Sequence, residues 1–451
     1  VWKYYGRPGD GEERNLLGNR RLIPLWPVRG GPVLDAGVIY FSAGLWPEEG
    51  IFIHAVDAKS GEAVWTNSDT DKVEKGNLDH GIQQLMGLSP QGYLAVVDGQ
   101  LVAPCGTQLP AVFDLKTGEL GTYTMGWGGR TGLPKGTWFV AGSGQYLAHS
   151  GDLYDMRRPN DEKFPDSGDK ADFKNRLYPA GFTRVQIDPT NQKYLGDFRR
   201  PVLSAETMFY TDGGIVAEDI TEVKLEARTE DPRRSNDRYP DKWQATFPRR
   251  WKLETDLRVR IQAGNRLYAS GPGTVAAIDL PASDGQPTIS WKASIEGEPV
   301  SVVAANGRLF VTTREGRLYA FGEKEIAEPV VHAQPSAPAG DVAAEAAAIV
   351  EAASATGGYC LVLGLEDGSL SETLAEQFTV IAIDPDAEKV DALRHSLYAR
   401  GIYGSQISVY VGDPLTHSFP PFLASLVVTE TPEIFATDAG AASFPEIFHT
   451  L

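Results

Sequence analysis

Five residues in the last quarter of the chain, Gly364-Leu365-Glu366-Asp367-Gly368, have the composition of a ligand-binding turn. They follow the apolar run GYCLVLG and open the helix-forming run SLSETLAEQ. Glycine at such a turn lets the backbone approach a ligand, and the N-terminus of the helix beyond it favours a negative group. Asp384 closes the next apolar run, FTVIAID, 20 residues after Gly364. A carboxylate there is placed to accept hydrogen bonds from ribose hydroxyls. Gly412 and Asp413 close a third run, QISVYVGD. A nicotinamide dinucleotide is the weaker expectation, because the turn reads Gly-x-x-x-Gly and not Gly-x-Gly-x-x-Gly.

Other chemistry-bearing residues are thinly spread. His54, His80, His149, His332, His395, His417 and His449 are scattered and form no His-x-x-x-His pair, so no metal set is expected. His54 reads as a packed strand residue, and Asp79-His80 as a surface pair in a polar loop. Five Arg-Arg pairs occur, at 20–21, 157–158, 199–200, 233–234 and 249–250. They read either as a docking surface for an acidic partner or as loop charge balanced by nearby Asp and Glu, with balance preferred. The run GWGGRTGLPKG is a connecting loop and not a phosphate loop, since Lys135 is not followed by Ser or Thr.

The chain must supply elements that hold these residues. Its 451 residues favour two domains, and 42% hydrophobic content supports sizeable cores. Gly (48) and Pro (30) are in excess, which suggests a turn-rich all-β region. No apolar run reaches the roughly 18 residues of a spanning helix, so no transmembrane segment is expected. The opening, VWKYYGRPGDGEERN, has no apolar core of a signal peptide. Of the net charge of −18, residues 323–451 carry −15, with 4 Lys+Arg against 19 Asp+Glu. That acidic tail is not expected to bind nucleic acid directly. Cys105 and Cys360 are too few and too far apart for a disulfide framework.

Residues 1–322 read as short strands separated by Gly, Asp and Asn turns. A unit recurs within them: apolar strand, Asp, two residues, Ser or Thr, Gly, then a polar strand that carries Trp. It is clear in AVDAKSGEAVW (55–65) and FDLKTGEL (113–120), and looser in QIDPTNQKYL (186–195) and AIDLPASDGQPTISW (277–291). These residues resemble the pyrroloquinoline-quinone-like (PQQ-like) β-propeller repeat of quinoprotein dehydrogenases and of non-enzymatic bacterial envelope scaffolds. The resemblance implies about five blades in residues 1–322, with insertions within 156–260. VWKYYG looks like the last strand of an earlier blade, so the ring is expected to have about seven or eight blades in a longer chain. Trp65 is expected between blades. With no adjacent Cys pair and no clustered Glu, Asn and Asp for a calcium ion, a bound quinone is not expected.

Residues 323–340, EKEIAEPVVHAQPSAPAG, read as a Pro- and Ala-rich linker. From 341 helical and strand runs alternate, beginning with DVAAEAAAIVEAAS, for which Asp341 is the expected N-cap. Such alternation implies a parallel sheet covered by helices. The Gly turn, the acid ending the second strand and the Gly-Asp after the third resemble a class I S-adenosylmethionine-dependent methyltransferase. The resemblance implies a Rossmann-like α/β domain over 341–451, incomplete at Leu451, with Gly364, Gly368, Asp384 and Asp413 as cofactor-binding residues. Val362 and Glu366 stand where that family usually has an acid and a Gly.

The leading expectation is thus a non-catalytic propeller scaffold, with protein partners on the propeller and a degenerate methyltransferase-like domain. The alternative is an active S-adenosylmethionine-dependent methyltransferase whose acceptor the propeller selects. A quinoprotein dehydrogenase comes last. The propeller resemblance favours an extracytoplasmic location over a cytoplasmic one.

Overall fold

The structure, a computed structural model, describes residues 2–451 except 7–14, 19–20, 71–73, 78–82, 107, 123–138, 150–151, 158–176, 179–185, 188–193, 196–199, 205, 223, 228–242, 283–284, 325–327, 329, 331–341 and 418. The chain forms two compact units, one of residues 1–11 and 26–325, the other of residues 12–25 and 326–451.

The first unit is an all-β propeller with five four-stranded antiparallel blades. Blade 1 is Val33–Asp35, Val38–Ala43, Phe52–Asp57 and Ala63–Asn67. Blade 2 is Ala95–Val97, Gln100–Cys105, Gln108–Asp114 and Leu120–Thr122. Blade 3 is Val140–Ser143, Tyr146–His149, Asp152–Asp155 and Leu177–Tyr178. Blade 4 is Val202–Leu203, Thr207–Thr211, Ile215–Asp219 and Arg249–Leu253. Blade 5 is Arg258–Ala263, Arg266–Gly271, Thr274–Asp279 and Thr288–Ser294. A sheet of three strands follows, Pro299–Ala305, Arg308–Thr313 and Leu318–Phe321. The first strands of successive blades are neighbours throughout, so they are the innermost strands.

Blades 2 to 5 each share one core with the blade before and another with the sheet after. In blade 2, Leu101, Ala103, Ala111 and Phe113 pack with Tyr40, Ile51, Ile53 and Ala55 of blade 1. The intervening Val102 and Val112 pack with Val140 and Leu147 of blade 3. Blade 4 divides in the same way, Met208 and Val216 toward blade 3, Phe209, Ile215 and Ala217 toward blade 5. Side chains alternate between the faces of a strand, so a central strand that is buried on both sides reads as an unbroken apolar run.

The repeat turn is built twice in the same form. Asp57 Oδ1 accepts from the N–H groups of Lys59 (3.0 Å) and Ser60 (2.7 Å). Asp114 Oδ1 accepts from Lys116 (2.9 Å) and Thr117 (2.8 Å). These bonds hold both carboxyl groups below the usual carboxylate range. The turn of one blade receives the Trp of the blade before. Trp65 Nε1 donates to Leu115 O (3.1 Å), and its ring covers Gly118, which has φ +73° and no room for a Cβ. Trp2 repeats this on blade 1, donating to Ala58 O (3.1 Å) with its ring over Gly61. Residues 2–6 therefore stand to blade 1 as the outer strand of blade 1 stands to blade 2. Opposite each outer-strand Trp is an alanine, Ala55 for Trp65, Ala217 for Trp251 and Ala277 for Trp291, each followed by a bulge.

The loose repeat at 186–195 lies outside the five blades. Among the described residues Gln186–Ile187 pairs with Tyr194–Leu195, and Asp188 lies outside the described residues. The equivalent acid of blade 4 is Asp219. The strand pattern hides it because the return strand starts only at Arg249, beyond an insertion that holds the hairpin Lys224–Ala227 and Trp243–Thr246.

The second unit is α/β. We label its elements α1 (Ala343–Ala353), β1 (Tyr359–Leu363), α2 (Ser369–Leu374), β2 (Thr379–Asp384), α3 (Ala387–Ala399), β3 (Ile407–Val411), β4 (Leu426–Val428) and α4 (Asp438–His449). The four strands form a parallel sheet in the order β3-β2-β1-β4. One face buries Cys360, Val362, Val380 and Ala382 beneath residues of α1, α2 and α3. The other face buries Leu361, Leu363, Ile381 and Ile383 beneath Leu22, Leu423, Phe435 and Ile447. Leu22 belongs to a hairpin, Asn15–Gly18 with Arg21–Pro24, and its carbonyl accepts from Tyr410 Oη (3.0 Å). The Asp341 cap lies outside the described residues, whereas Asp386 does cap α3, accepting from the N–H groups of Glu388 and Lys389. Cys105 and Cys360 are both buried and free, and burial pushes each thiol up to about 12.

Two outcomes follow for stability. Trp65→Ala is expected to cost about 3 kcal/mol, the low end for emptying a large aromatic site, because Trp65 keeps part of its surface in water. Gly118→Ala is expected to cost about 1–2 kcal/mol from its left-handed backbone alone, and more from the clash with Trp65. The double variant should lose less than the sum in urea unfolding; strict additivity would mean that the ring does not rest on Gly118.

The second outcome concerns acid. His54 is 1% exposed among Tyr4, Phe41 and Phe52, and His149 is equally buried. Burial pushes His54 down to about 4 and His149 to about 3. The unfolded chain then binds protons first, so this contribution is complete above pH ~6.5 and is lost as pH falls toward 4. For His54 alone it amounts to about 3 kcal/mol. A His54→Gln variant should show a flatter fall in Tm between pH 7 and pH 5; an unchanged slope counts against it.

Candidate functional site

The C-terminal edge of the parallel sheet gathers the sequence-nominated residues. Gly364 follows β1, Asp384 ends β2, Gly412 and Asp413 follow β3, and Glu430 lies two residues beyond β4. Ligands of open α/β sheets bind at this edge, where loops diverge. Gly364 N–H donates to Ile383 O (2.8 Å) and Gly412 N–H to Asp384 O (3.0 Å), which ties the three strand ends together.

The carboxylate of Asp384 is turned into the protein. It is 3% exposed. Its Oδ2 accepts from Leu365 N–H (2.8 Å) and lies 3.4 Å from Lys389 Nζ, while Oδ1 accepts from Asp386 N–H (2.9 Å). Lys389 also donates to Leu365 O (2.7 Å). Asp384 thus anchors the Gly turn from below, with Lys389 as its counter-charge.

The turn's own donors are met by Glu430. Its Oε2 accepts from the N–H groups of Glu366 (2.9 Å) and Gly368 (3.0 Å), and its Oε1 from Ser371 N–H (3.0 Å) and Ser371 Oγ (2.7 Å). These are the orphan donors that a strand-to-helix turn offers to an anion, here satisfied by a side chain of the same unit. The two glycines are also taken up internally. A Cβ on Gly364 (φ +87°) would lie 2.0 Å from Thr431 Oγ1, and one on Gly368 would lie 2.7 Å from Leu393 Cδ2. Asp367 caps the turn, accepting from the N–H and the hydroxyl of Ser369, and these bonds lower its carboxyl.

Asp413 stands apart from this network. It is exposed, and its Oδ1 accepts from Leu415 N–H (2.9 Å). Gly364, Gly368 and Asp384 are brought together; Asp413 is joined only through Gly412. Sequence reasoning missed Glu430, Thr431 and Lys389. Glu430 carried a signal, since it ends the run LASLVVTE as Asp384 ends FTVIAID.

The other nominated groups divide. Arg250 is paired with Asp219 (2.5 Å), and Arg157 with Asp98. Asp79-His80 and the run 126–136 lie outside the described residues. Among the described residues no group of three or more His, Cys, Asp or Glu could hold a metal ion, and no helix is long and apolar enough to cross a membrane.

No family model matches the sequence, and no curated protein matches it. Among solved structures, BamB from Moraxella catarrhalis is similar over 69% of this chain and 86% of its own, at 12% identity and a TM-score of 0.32. A putative S-adenosyl-L-methionine-dependent methyltransferase from Methanococcus maripaludis is similar over 24% of this chain and 50% of its own, at 25% identity and a TM-score of 0.22. A methyltransferase from Geobacter sulfurreducens is similar over 19% of this chain and 43% of its own, at 24% identity and a TM-score of 0.14. The chain therefore spans half or less of either methyltransferase. At such scores the weight falls on the geometry of the turn.

That geometry makes Glu430 a structural residue. Glu430→Ala strips three N–H groups and a hydroxyl of a charged acceptor and should destabilise the α/β unit by about 2–3 kcal/mol. Hydrogen exchange should quicken at residues 366–371. Unchanged exchange there would mean that the carboxylate does not hold the turn.

Proposed function

We propose that the protein is a non-catalytic interaction scaffold. In this reading the propeller presents binding surfaces to other proteins, and the α/β unit keeps a methyltransferase-type, Rossmann-like sheet without a working cofactor site. The observation that carries it is the carboxylate of Glu430, which satisfies the turn that a cofactor would have to occupy. As arranged, the residues do not suit S-adenosylmethionine: Asp384 faces inward onto Leu365 and Lys389, and Thr431 fills the space over Gly364. Glu366, which stands where the methyltransferase family usually has a Gly, is exposed, and its backbone joins the network. An extracytoplasmic location goes with this reading, as for the envelope scaffolds that the repeats resemble.

The alternative, an active S-adenosylmethionine-dependent methyltransferase, is favoured by the placing of Gly364, Asp384 and Asp413 along one sheet edge. It requires Glu430 to leave the turn and Asp384 to rotate outward. Titration calorimetry of the whole chain with S-adenosylmethionine separates the two. We expect no saturable binding at millimolar cofactor, and none for Glu366→Gly. Micromolar binding by the unaltered chain, weakened roughly ten- to a hundredfold in Asp384→Ala, overturns the scaffold reading and puts the enzyme in its place.

A further inference from the structure

The last sheet of the propeller is a strand short. Among the described residues, Pro299–Ala305, Arg308–Thr313 and Leu318–Phe321 form three strands where each blade has four, and the third pairs only with the second. The register shows what a fourth strand brings. In blades 1, 4 and 5 an aromatic side chain on the second strand lies opposite an alanine on the third, and that alanine lies opposite a Trp on the fourth. Blade 1 has Tyr40, Ala55 and Trp65 in this row, and blade 5 has Tyr268, Ala277 and Trp291. The last sheet begins the same row with Phe310 opposite Ala320, and there it stops. Ala55 and Ala277 are buried, whereas Ala320 is exposed. Val302, Leu309 and Val311 pack toward blade 5, so the alternate residues, with Val303 (54% exposed) and Leu318 (67% exposed), face the other way. An edge strand beside such a face presents unpaired backbone groups along its length.

The missing chemistry is present before blade 1. Residues 2–3 are Trp-Lys, as are 251–252 and 291–292 on the fourth strands of blades 4 and 5. Trp2 meets the turn of blade 1 as Trp65 meets the turn of blade 2, each indole N–H donating to a turn carbonyl at 3.1 Å. Tyr4 packs edge-on against Phe41 and His54 of blade 1, with ring centres 5.8 and 5.3 Å apart. Trp2, Lys3 and Tyr4 are thus placed as a fourth strand is placed against the blade that follows it, yet they belong to none of the sheets. One end of the propeller has three strands that match a fourth, and the other end has a strand that matches three. Neighbouring inner strands run from Val33–Asp35 to Pro299–Ala305, and among the described residues no strand pairing joins the two ends within one chain.

We propose that the edge strand Leu318–Phe321 takes residues 2–6 of a second copy as its fourth strand, with Trp2 opposite Ala320 and blade 1 of that copy covering Val303, Phe310 and Leu318. The seam so formed repeats the seam between blades 1 and 2, with a Trp held between an alanine and a glycine turn. Backbone hydrogen bonds along the edge supply affinity, and the Trp in the alanine row fixes the register. Each chain carries one end of each kind, so the contact is head to tail and extends beyond a pair unless a ring closes. It requires neither the scaffold reading nor the α/β unit.

Sedimentation velocity of the whole chain, up to about 100 µM, tests it. Concentration-dependent association is expected, and Ala320→Phe and Trp2→Ala should each weaken it about tenfold or more. Near-UV circular dichroism checks that both variants remain folded; should Trp2→Ala unfold, Ala320→Phe decides alone. Mixing the two folded variants tests the arrangement. Ala320→Phe keeps the strand end intact and Trp2→Ala keeps the edge intact, so together they should associate with the unaltered affinity and stop at a pair. A contact made by the same patch on both copies would show no such rescue. The inference is overturned if the unaltered chain stays monomeric, as it would were residues 2–6 to close the ring within their own chain. It is equally overturned if folded Ala320→Phe associates as the unaltered chain does, or if the mixed variants do not pair.

Discussion

A sheet of four short strands has two apolar faces and cannot cover either by itself. This constraint governs the propeller. Phe113 and Val112 are adjacent in sequence, yet one is buried against blade 1 and the other against blade 3. Blades 2 to 5 are thereby each half of two cores, and none of them is a folding unit in its own right. The Trp that crosses from one blade's outer strand to the next blade's turn adds a second link on the outside of the same seam. Its indole N–H and ring edge meet a carbonyl and a glycine, so position and orientation are fixed together.

The same constraint explains what was legible in the sequence. Strands of blades 1, 2 and 5 are flanked by short turns, and the Asp-to-Gly spacing marks the turn because the side chain caps the backbone locally. Local bonds leave local signatures. In blade 4 Asp219 caps its own turn at Thr221, as Asp57 and Asp114 cap theirs, but it also pairs with Arg250 across 31 residues, and its closing strand comes from beyond an insertion. No short-range pattern records that partnership, and the similar-looking run at 186–195 took its place.

The α/β unit shows the same division. The parallel sheet, the Gly turn and the acids at strand ends follow from alternation and spacing along the chain. What those groups touch does not. Glu430 meets the turn across 59 to 64 residues of sequence, and Lys389 meets Asp384 from the following helix. The turn that looks like a cradle for a ligand and the turn that is bound by its own protein have the same letters. They differ in a carboxylate supplied from the neighbouring strand end, which outcompetes a dissolved anion because its entropy of association is already spent.

The hairpin at residues 15–24 gives the chain an unusual connectivity. The polypeptide enters the α/β unit, leaves it for the length of the propeller, and belongs to it again from residue 326. Leu22 lies in the core of a sheet whose strands begin more than three hundred residues later. Cutting the chain once within 323–340 would therefore yield two fragments that are still joined by a buried side chain and the Tyr410 hydrogen bond. A truncation that ends at residue 325 would leave Leu22 as an apolar hairpin in water, without the sheet that covers it.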